Sequence, residues 1–151
     1  FVVANTDFVP PVAGAIQAIL EEHHVSLAGT KAVIIGKGRL VGAPVRTIFE
    51  HGGADITIID TNTKKKTSKE AIQAAKIIVS GVGIPNLVTH DQISKGVVLI
   101  DAGTSSTKGT LSGDICLDCI PNASLVSKTP GGVGPITVAI LFRNLVRSIY
   151  K

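Results

Sequence analysis

The chain has 151 residues and a mass of 15.6 kDa, is 44% hydrophobic and 17% charged, and suits one compact domain with a real core rather than intrinsic disorder. No uninterrupted apolar run approaches the roughly eighteen residues of a membrane span, and no basic stretch followed by an apolar core marks a secretory leader. Fifteen Lys and Arg against eleven Asp and Glu give a charge of +4, which suits an anionic ligand, while four Phe, one Tyr and no Trp leave almost nothing to stack on single-stranded nucleic acid.

In chain order, a break at Pro10-Pro11 precedes Ile16, Ile19 and Leu20, whose spacing predicts a helix over about Val12 to His23. Lys31 to Ile35 is a short β-branched run that reads as a strand buried on both faces, and Ala43 to His51 reads as a helix closed by Gly52 and Gly53. Asp55 to Ile59 is a second strand, Ser68 to Ala75 a short helix with Ser68 as its cap and Glu70 in its first turn, and Lys76 to Ser80 a third strand. Thr89 to Ile93 gives one or two helical turns and Val97 to Ile100 a fourth strand. Gly103 to Gly113 reads as a surface hairpin or loop, Leu125 and Val126 as a late short strand, and the residues from Pro135 to Ile149 as a C-terminal helix with Pro in its first turn. Continuous apolar strands alternating with short helices predict a doubly wound parallel α/β sheet with helices on both faces.

The sharpest chemical signal is Gly36-Lys37-Gly38-Arg39-Leu40-Val41-Gly42, placed where the first strand hands over to a helix. Glycines there permit a tight turn and close approach of backbone to a pyrophosphate, whose charge then meets a helix N-terminus. The spacing is GxGxxxG rather than GxGxxG, so strand, loop and helix in order carry more of the argument than the motif does. Asp60 ends the second strand and would accept hydrogen bonds from ribose hydroxyls, or else cap its own turn. Lys37, Arg39, Thr61 and Asn62 lie close by in sequence and would instead suit a 2′-phosphate, so NAD and NADP both stay open.

Three further loops fall where ligands bind in open α/β sheets: Ser80 to Pro85, Asp101 to Ser105, and Thr129 to Thr137. Lys64 to Lys66 reads as a solvated loop rather than a phosphate track. Cys116 and Cys119 form a single CxxC without a second pair of ligands, which predicts no metal site and two buried thiols in a reducing, cytoplasmic compartment. The absence of Met and the start at Phe1 read as an excised domain or processed piece.

Pro130-Gly131-Gly132-Val133-Gly134-Pro135 followed by Thr137 closely resembles the C-terminal signature of the bifunctional methylenetetrahydrofolate dehydrogenase/methenyltetrahydrofolate cyclohydrolase family. Phe8-x-Pro10, Ala28-Gly29, Val33 to Gly36, Val41-Gly42-x-Pro44, Gly83-x-Pro85, Ile100-Asp101-x-Gly103 and Gly113-Asp114 extend the resemblance in order along nearly the whole chain. It implies a Rossmann domain at 12–151 that binds NADP, or NAD in some members, with residues 1–11 the remnant of a hinge from a missing N-terminal folate-binding domain. Gly36, Lys37 and Gly38 would lie over the pyrophosphate, with Lys37 and Thr61 at the 2′-phosphate. Gly81, Val82 and Gly83 would lie near the adenosine, and Gly103, Thr104 and Thr137 near the nicotinamide.

The resemblance further implies a tetrahydrofolate substrate bound through the missing domain, a homodimer, and no nucleic-acid or membrane partner. The family's catalytic Lys and Tyr and its folate-binding Asp belong to the preceding domain, so no catalytic residue is assigned and the isolated chain is expected to bind nucleotide without turnover. Departures from the pattern are Pro11-Val12-Ala13 after the hinge, Asp60 where His is usual, and Lys76 and Ile84 in place of an acid and a Lys. Two rival readings are a nucleotide-binding module without chemistry and the cofactor domain of another two-domain dehydrogenase, such as a shikimate- or amino-acid-type enzyme.

Overall fold

A computed structural model describes residues 8–107 and 109–150, so residues 1–7 of the expected hinge lie outside the described residues. Helix α1 (Pro11–Glu22) leads into strand β1 (Lys31–Ile35), helix α2 (Gly42–His51), strand β2 (Asp55–Ile59), helix α3 (Lys65–Ala74) and strand β3 (Ile77–Ser80). After a 3-10 turn at His90–Gln92 come β4 (Val97–Asp101), the hairpin strands β5 (Ser105–Thr107) and β6 (Thr110–Ser112), a second 3-10 turn at Leu117–Asn122, β7 (Ala123–Ser127) and helix α4 (Val133–Ile149). Five strands form one parallel sheet in the order β2-β1-β3-β4-β7, and β5 and β6 pair antiparallel beside it.

The alternation of side chains along each strand divides the core in two. Ala32, Ile34, Ile77, Val79, Val98 and Ile100 point to one face and pack with Ile16, Leu20, Val45, Phe49 and Val133 from α1, α2 and α4. Val33, Ile35, Ile78, Val97 and Leu99 point to the other and pack with Ile72 of α3 and with Val88, Ile93 and Cys119 from the connecting turns. Covering both faces explains the continuous apolar strands and confirms the expected doubly wound sheet. Register brings Ile35 opposite both Ile59 and Ser80, and Ser80 opposite Asp101, so the loops after these strands leave the sheet along one edge.

Several expected boundaries shift. Helix α3 begins at Lys65, three residues before the expected cap, and Ser68 is not a cap, because its hydroxyl donates to the Lys64 carbonyl one turn back at 3.2 Å. Strand β3 starts at Ile77, while Lys76 flanks it, donating its N–H to Lys31 and accepting from Val98. The expected late strand is longer, over Ala123–Ser127, and α4 starts two residues before Pro135. The 3-10 turn at Leu117–Asn122 carries no helical periodicity and was not legible. Of the two thiols expected to be buried, Cys119 is, and Cys116 is only half-buried.

Candidate functional site

Setting the hairpin strands aside, the order is 2-1-3-4-5, and consecutive connections diverge to opposite sides between β1 and β3. Outside the carboxyl ends of strands at such a switch point lies the crevice where open α/β sheets take ligands. A cavity of about 670 Å³ occupies that place. Its walls come from the glycine loop before α2, the loops after β3 and β4, and the first turns of α4.

The three glycines of the first loop have separate jobs. Gly36 turns the chain at φ +95°, a conformation that L side chains rarely adopt. A Cβ on Gly42 would overlap the Gly36 carbonyl, so this glycine lets α2 start directly against the loop. Gly38 has open space where a Cβ would stand, as expected of a site where a ligand approaches the backbone. Helix α2 then begins at Gly42, after the N-cap residue Val41, with no side-chain cap; the Ala43 N–H donates to the Gly38 carbonyl at 3.0 Å and Pro44 has no N–H, so an anion there would meet the Gly42 end of the helix and its dipole. These observations fit a pyrophosphate, so the residues present suit a dinucleotide.

At the β2 side, the Lys37 ammonium lies 2.7 Å from the Asp60 carboxylate. Asp60 also accepts from the Asn62 N–H at 2.9 Å and the Thr63 hydroxyl at 3.1 Å. The Lys37 ammonium first, and then the Asn62 N–H, hold the Asp60 carboxyl below its ordinary range. Asp60 therefore caps its own turn, one of its two sequence readings.

On the far side two acids lie beneath the loops. Asp114 is fully buried, and its carboxylate accepts from the Ser80 hydroxyl at 2.6 Å and from the N–H groups of Val82 and Ile84 at 2.8 Å each. Asp101, 3% exposed, accepts from the N–H groups of Gly103 and Asp114 at 3.1 Å and of Ile115 at 3.0 Å. Burial raises the Asp101 carboxyl above its usual range, with the Ile115 and Asp114 N–H groups opposing.

Of the residues singled out from sequence, the cavity wall brings together Gly38, Arg39, Gly81, Val82, Gly83, Gly103, Thr104 and Thr137. Gly36 forms the turn beneath it, where a Cβ would press on Val82. Lys37, Asp60, Thr61 and Asn62 stand at the end of β2 and are not in its wall. Sequence reasoning missed Val12 as lining; it named the loops that carry Leu40, Val41, Ala102, Thr129 and Val133 without singling those residues out, and gave the Asp101 and Asp114 side chains no role. An acid within two residues of a glycine at both ends of the 101–114 segment was the available signal. A second groove of about 480 Å³ runs between α1 and α2, from Val9, Pro10 and Pro44 at their N-terminal ends to Glu21 and His51 at their C-terminal ends. Among the described residues no group of three His, Cys, Asp or Glu could hold a metal ion.

A parallel sheet with a glycine loop and an uncapped helix at its switch point defines a dinucleotide-binding α/β domain. The family model for the tetrahydrofolate dehydrogenase/cyclohydrolase, NAD(P)-binding domain, matches residues 10–151. The chain belongs to that family. A bifunctional protein FolD from Campylobacter curvus is 38% identical over 143 residues, covering 93% of this chain and 49% of that protein. The crystal structure of the FolD dehydrogenase/cyclohydrolase from Campylobacter jejuni superposes with a TM-score of 0.89 at 31% identity, over 93% of this chain and 50% of that one. The FolD structure from Trypanosoma brucei, complexed with NADP cofactor and inhibitor, matches at TM-score 0.88 and 32% identity, over 98% and 54%. The chain spans about half the length of the curated relatives it matches.

Proposed function

We propose that this chain is the nucleotide half of a bifunctional methylenetetrahydrofolate dehydrogenase/methenyltetrahydrofolate cyclohydrolase, and that its crevice holds NADP, or NAD, during oxidation of 5,10-methylenetetrahydrofolate. The observation that carries the reading is the combination of an open Gly38 backbone and an uncapped α2 start at the switch point of the sheet. When bound, the nicotinamide supplies the hydride acceptor. The chain's own residues do the positioning. Gly36, Gly38 and the first turn of α2 hold the pyrophosphate, and Gly81, Val82 and Gly83 line the adenosine side. Gly103, Thr104 and Thr137 border the end that meets the substrate. Thr61 and Asn62, with the Lys37–Asp60 pair, and Arg39 in the neighbouring cavity wall, would serve the adenosine ribose, with Lys37 turning to a 2′-phosphate or Asp60 to the ribose hydroxyls.

The folate-binding half and the reacting side chains belong, in this reading, to a domain before residue 12. Two observations support such a neighbour. Val138, Leu141, Phe142, Leu145 and Ile149 form a stripe along α4, each more than half exposed. The chain enters beside that helix, where Asn144 Nδ2 donates to the Val9 carbonyl at 2.8 Å. A folded partner domain would cover this apolar stripe, which is large for a solvated surface. Conversion of the methenyl product to the 10-formyl form at the shared cleft, a homodimer and a cytoplasmic setting rest on the family alone. Among the described residues no helix is long and apolar enough to cross a membrane.

Titration calorimetry with NADP and then NAD at low salt tests the cofactor reading, because salt screens an exposed charge pair. Tighter NADP binding gives Lys37 and Thr61 to the 2′-phosphate, and tighter NAD binding gives Asp60 to the ribose. Binding of neither by the chain overturns it and favours a module without chemistry.

A further inference from the structure

We propose that Asp101 and Asp114 form a reciprocal clasp that sets the far wall of the crevice, with Asp114 a positioning residue acting through the backbone of Val82 to Ile84. The proposal rests on the nucleotide reading of that crevice. Its basis is a crossed arrangement of two acids and two glycines at the ends of one segment. A Cβ on Gly103 would overlap the Asp114 carboxylate, and a Cβ on Gly113 would overlap the Asp101 carboxylate. Each glycine, one next to Asp114 and one two residues after Asp101, gives way to the other end's acid. The segment between them, which carries β5 and β6, is thus closed at its base by carboxylates rather than by apolar packing.

The clasp reaches the crevice through hydrogen-bond donors. Asp101 binds the N–H groups of Gly103, Asp114 and Ile115, which locks the two ends of the segment to each other. Asp114 then binds Ser80 at the end of β3 and the N–H groups of Val82 and Ile84 in the loop that follows. Glycine loops in such folds usually offer their N–H groups to a ligand. Here two N–H groups of the β3 loop are already taken by a buried acid beneath it. That loop therefore serves as a rigid wall. Phosphate recognition is left to the loop before α2, where no side chain caps the helix. A Cβ on Gly83, at φ +77°, would stand 3.2 Å from the Thr104 carbonyl, so the loops after β3 and β4 approach each other closely there.

Amide hydrogen exchange of the ligand-free chain, paired with calorimetric titration of NADP and NAD, tests the clasp. In Asp114→Ala the Val82 and Ile84 amides are expected to lose at least tenfold protection while those of Val33 and Ile34 in β1 keep theirs. Both nucleotides are expected to bind at least tenfold more weakly. Asp114→Asn keeps the acceptor oxygen on one side of the group and is expected to recover part of both effects. Ile72→Ala, which removes core packing under α3, lowers stability without touching the crevice and is expected to leave nucleotide affinity within about threefold.

Unchanged affinity in Asp114→Ala with the loop amides exposed overturns the proposal, since the nucleotide would not read the wall. Loss of affinity in Ile72→Ala equal to that in Asp114→Ala overturns it too, because general destabilisation would then suffice. If Asp114→Ala also loses protection in β1, Asp114→Asn decides by the same two readouts. Failure of the wild-type chain to bind either nucleotide sinks the nucleotide reading instead, and the amide protection still reports whether the clasp exists.

Discussion

Alanine at Gly42 and at Gly38 separates the glycine that the fold needs from the one that the ligand needs. At Gly42 the new methyl would meet the carbonyl oxygen and carbon of Gly36 and the Cα of Lys37, all backbone, so no rotation of a side chain relieves the overlap. Overpacking of this kind costs about 1–3 kcal/mol. The helix preference of Ala over Gly returns at most about 1 kcal/mol, and less in a first turn where Gly42 sits. With no more than about half of that preference recovered, the net loss is about 0.5–3 kcal/mol, which lowers the melting temperature of a domain this size by about 1–12 °C. Because relief requires moving Gly36 and Lys37, NADP affinity should also fall at least tenfold. At Gly38 nothing lies within 4 Å of the added Cβ, so stability should change by no more than about 0.5 kcal/mol. Affinity should still fall at least tenfold if the pyrophosphate lies over Gly38 as proposed, because the methyl would stand in its way. Thermal melts and calorimetry on both variants read the four quantities. Unchanged NADP affinity in Gly38→Ala would refute the pyrophosphate placement, and an unchanged melt in Gly42→Ala would refute the packing argument.

Two further outcomes follow from the same coordinates. Lys37 is the largest cause of the lowered Asp60 carboxyl, whose ordinary value is 3.8. A lowered carboxyl contributes stability above its unfolded value and loses it as pH falls through the folded one. Lys37→Met should therefore move the carbon-13 titration midpoint of Asp60 upward, and about 1 M salt should do the same in the wild type because the pair is exposed to solvent. A midpoint unmoved by both changes contradicts the ion pair. Phe49 is fully buried and fastens α2 to the sheet, so Phe49→Ala should cost about 3–5 kcal/mol in denaturant unfolding. A loss below about 1 kcal/mol would mean that α2 is not held by this contact.

Strand positions were legible where burial on both faces writes itself as a continuous β-branched run, as in Lys31–Ile35, which is buried at every residue after the first. Asp55–Ile59 also falls where the sequence puts it, although it is an edge strand of which only Ile59 is buried. Helix starts were less legible. Ser68 is a good cap by residue type, but the backbone turns helical at Lys65, and the serine hydroxyl bonds within the helix instead. The two 3-10 turns carry little or no periodicity, so local spacing could not outline them both.

For the site, sequence alone identified the loops that leave the carboxyl edge of the sheet, because glycine and proline punctuate strand ends wherever a parallel sheet must turn. It also made Gly36, Lys37 and Gly38 candidates for nucleotide contact and left the choice of Asp60 partner open. Only the tertiary structure showed that Lys37 and Asp60 are paired across two different loops. Only it divided the glycines by task, since the need for Gly42 comes from a carbonyl six residues away. The buried acids illustrate the limit most clearly. Asp101 and Asp114 are thirteen residues apart, yet Asp114 binds donors 30 to 34 residues earlier in the chain. Apart from the Ser80 hydroxyl, their partners are backbone N–H groups, which carry no residue identity, and such a contact leaves no mark in a sequence until the chain has folded.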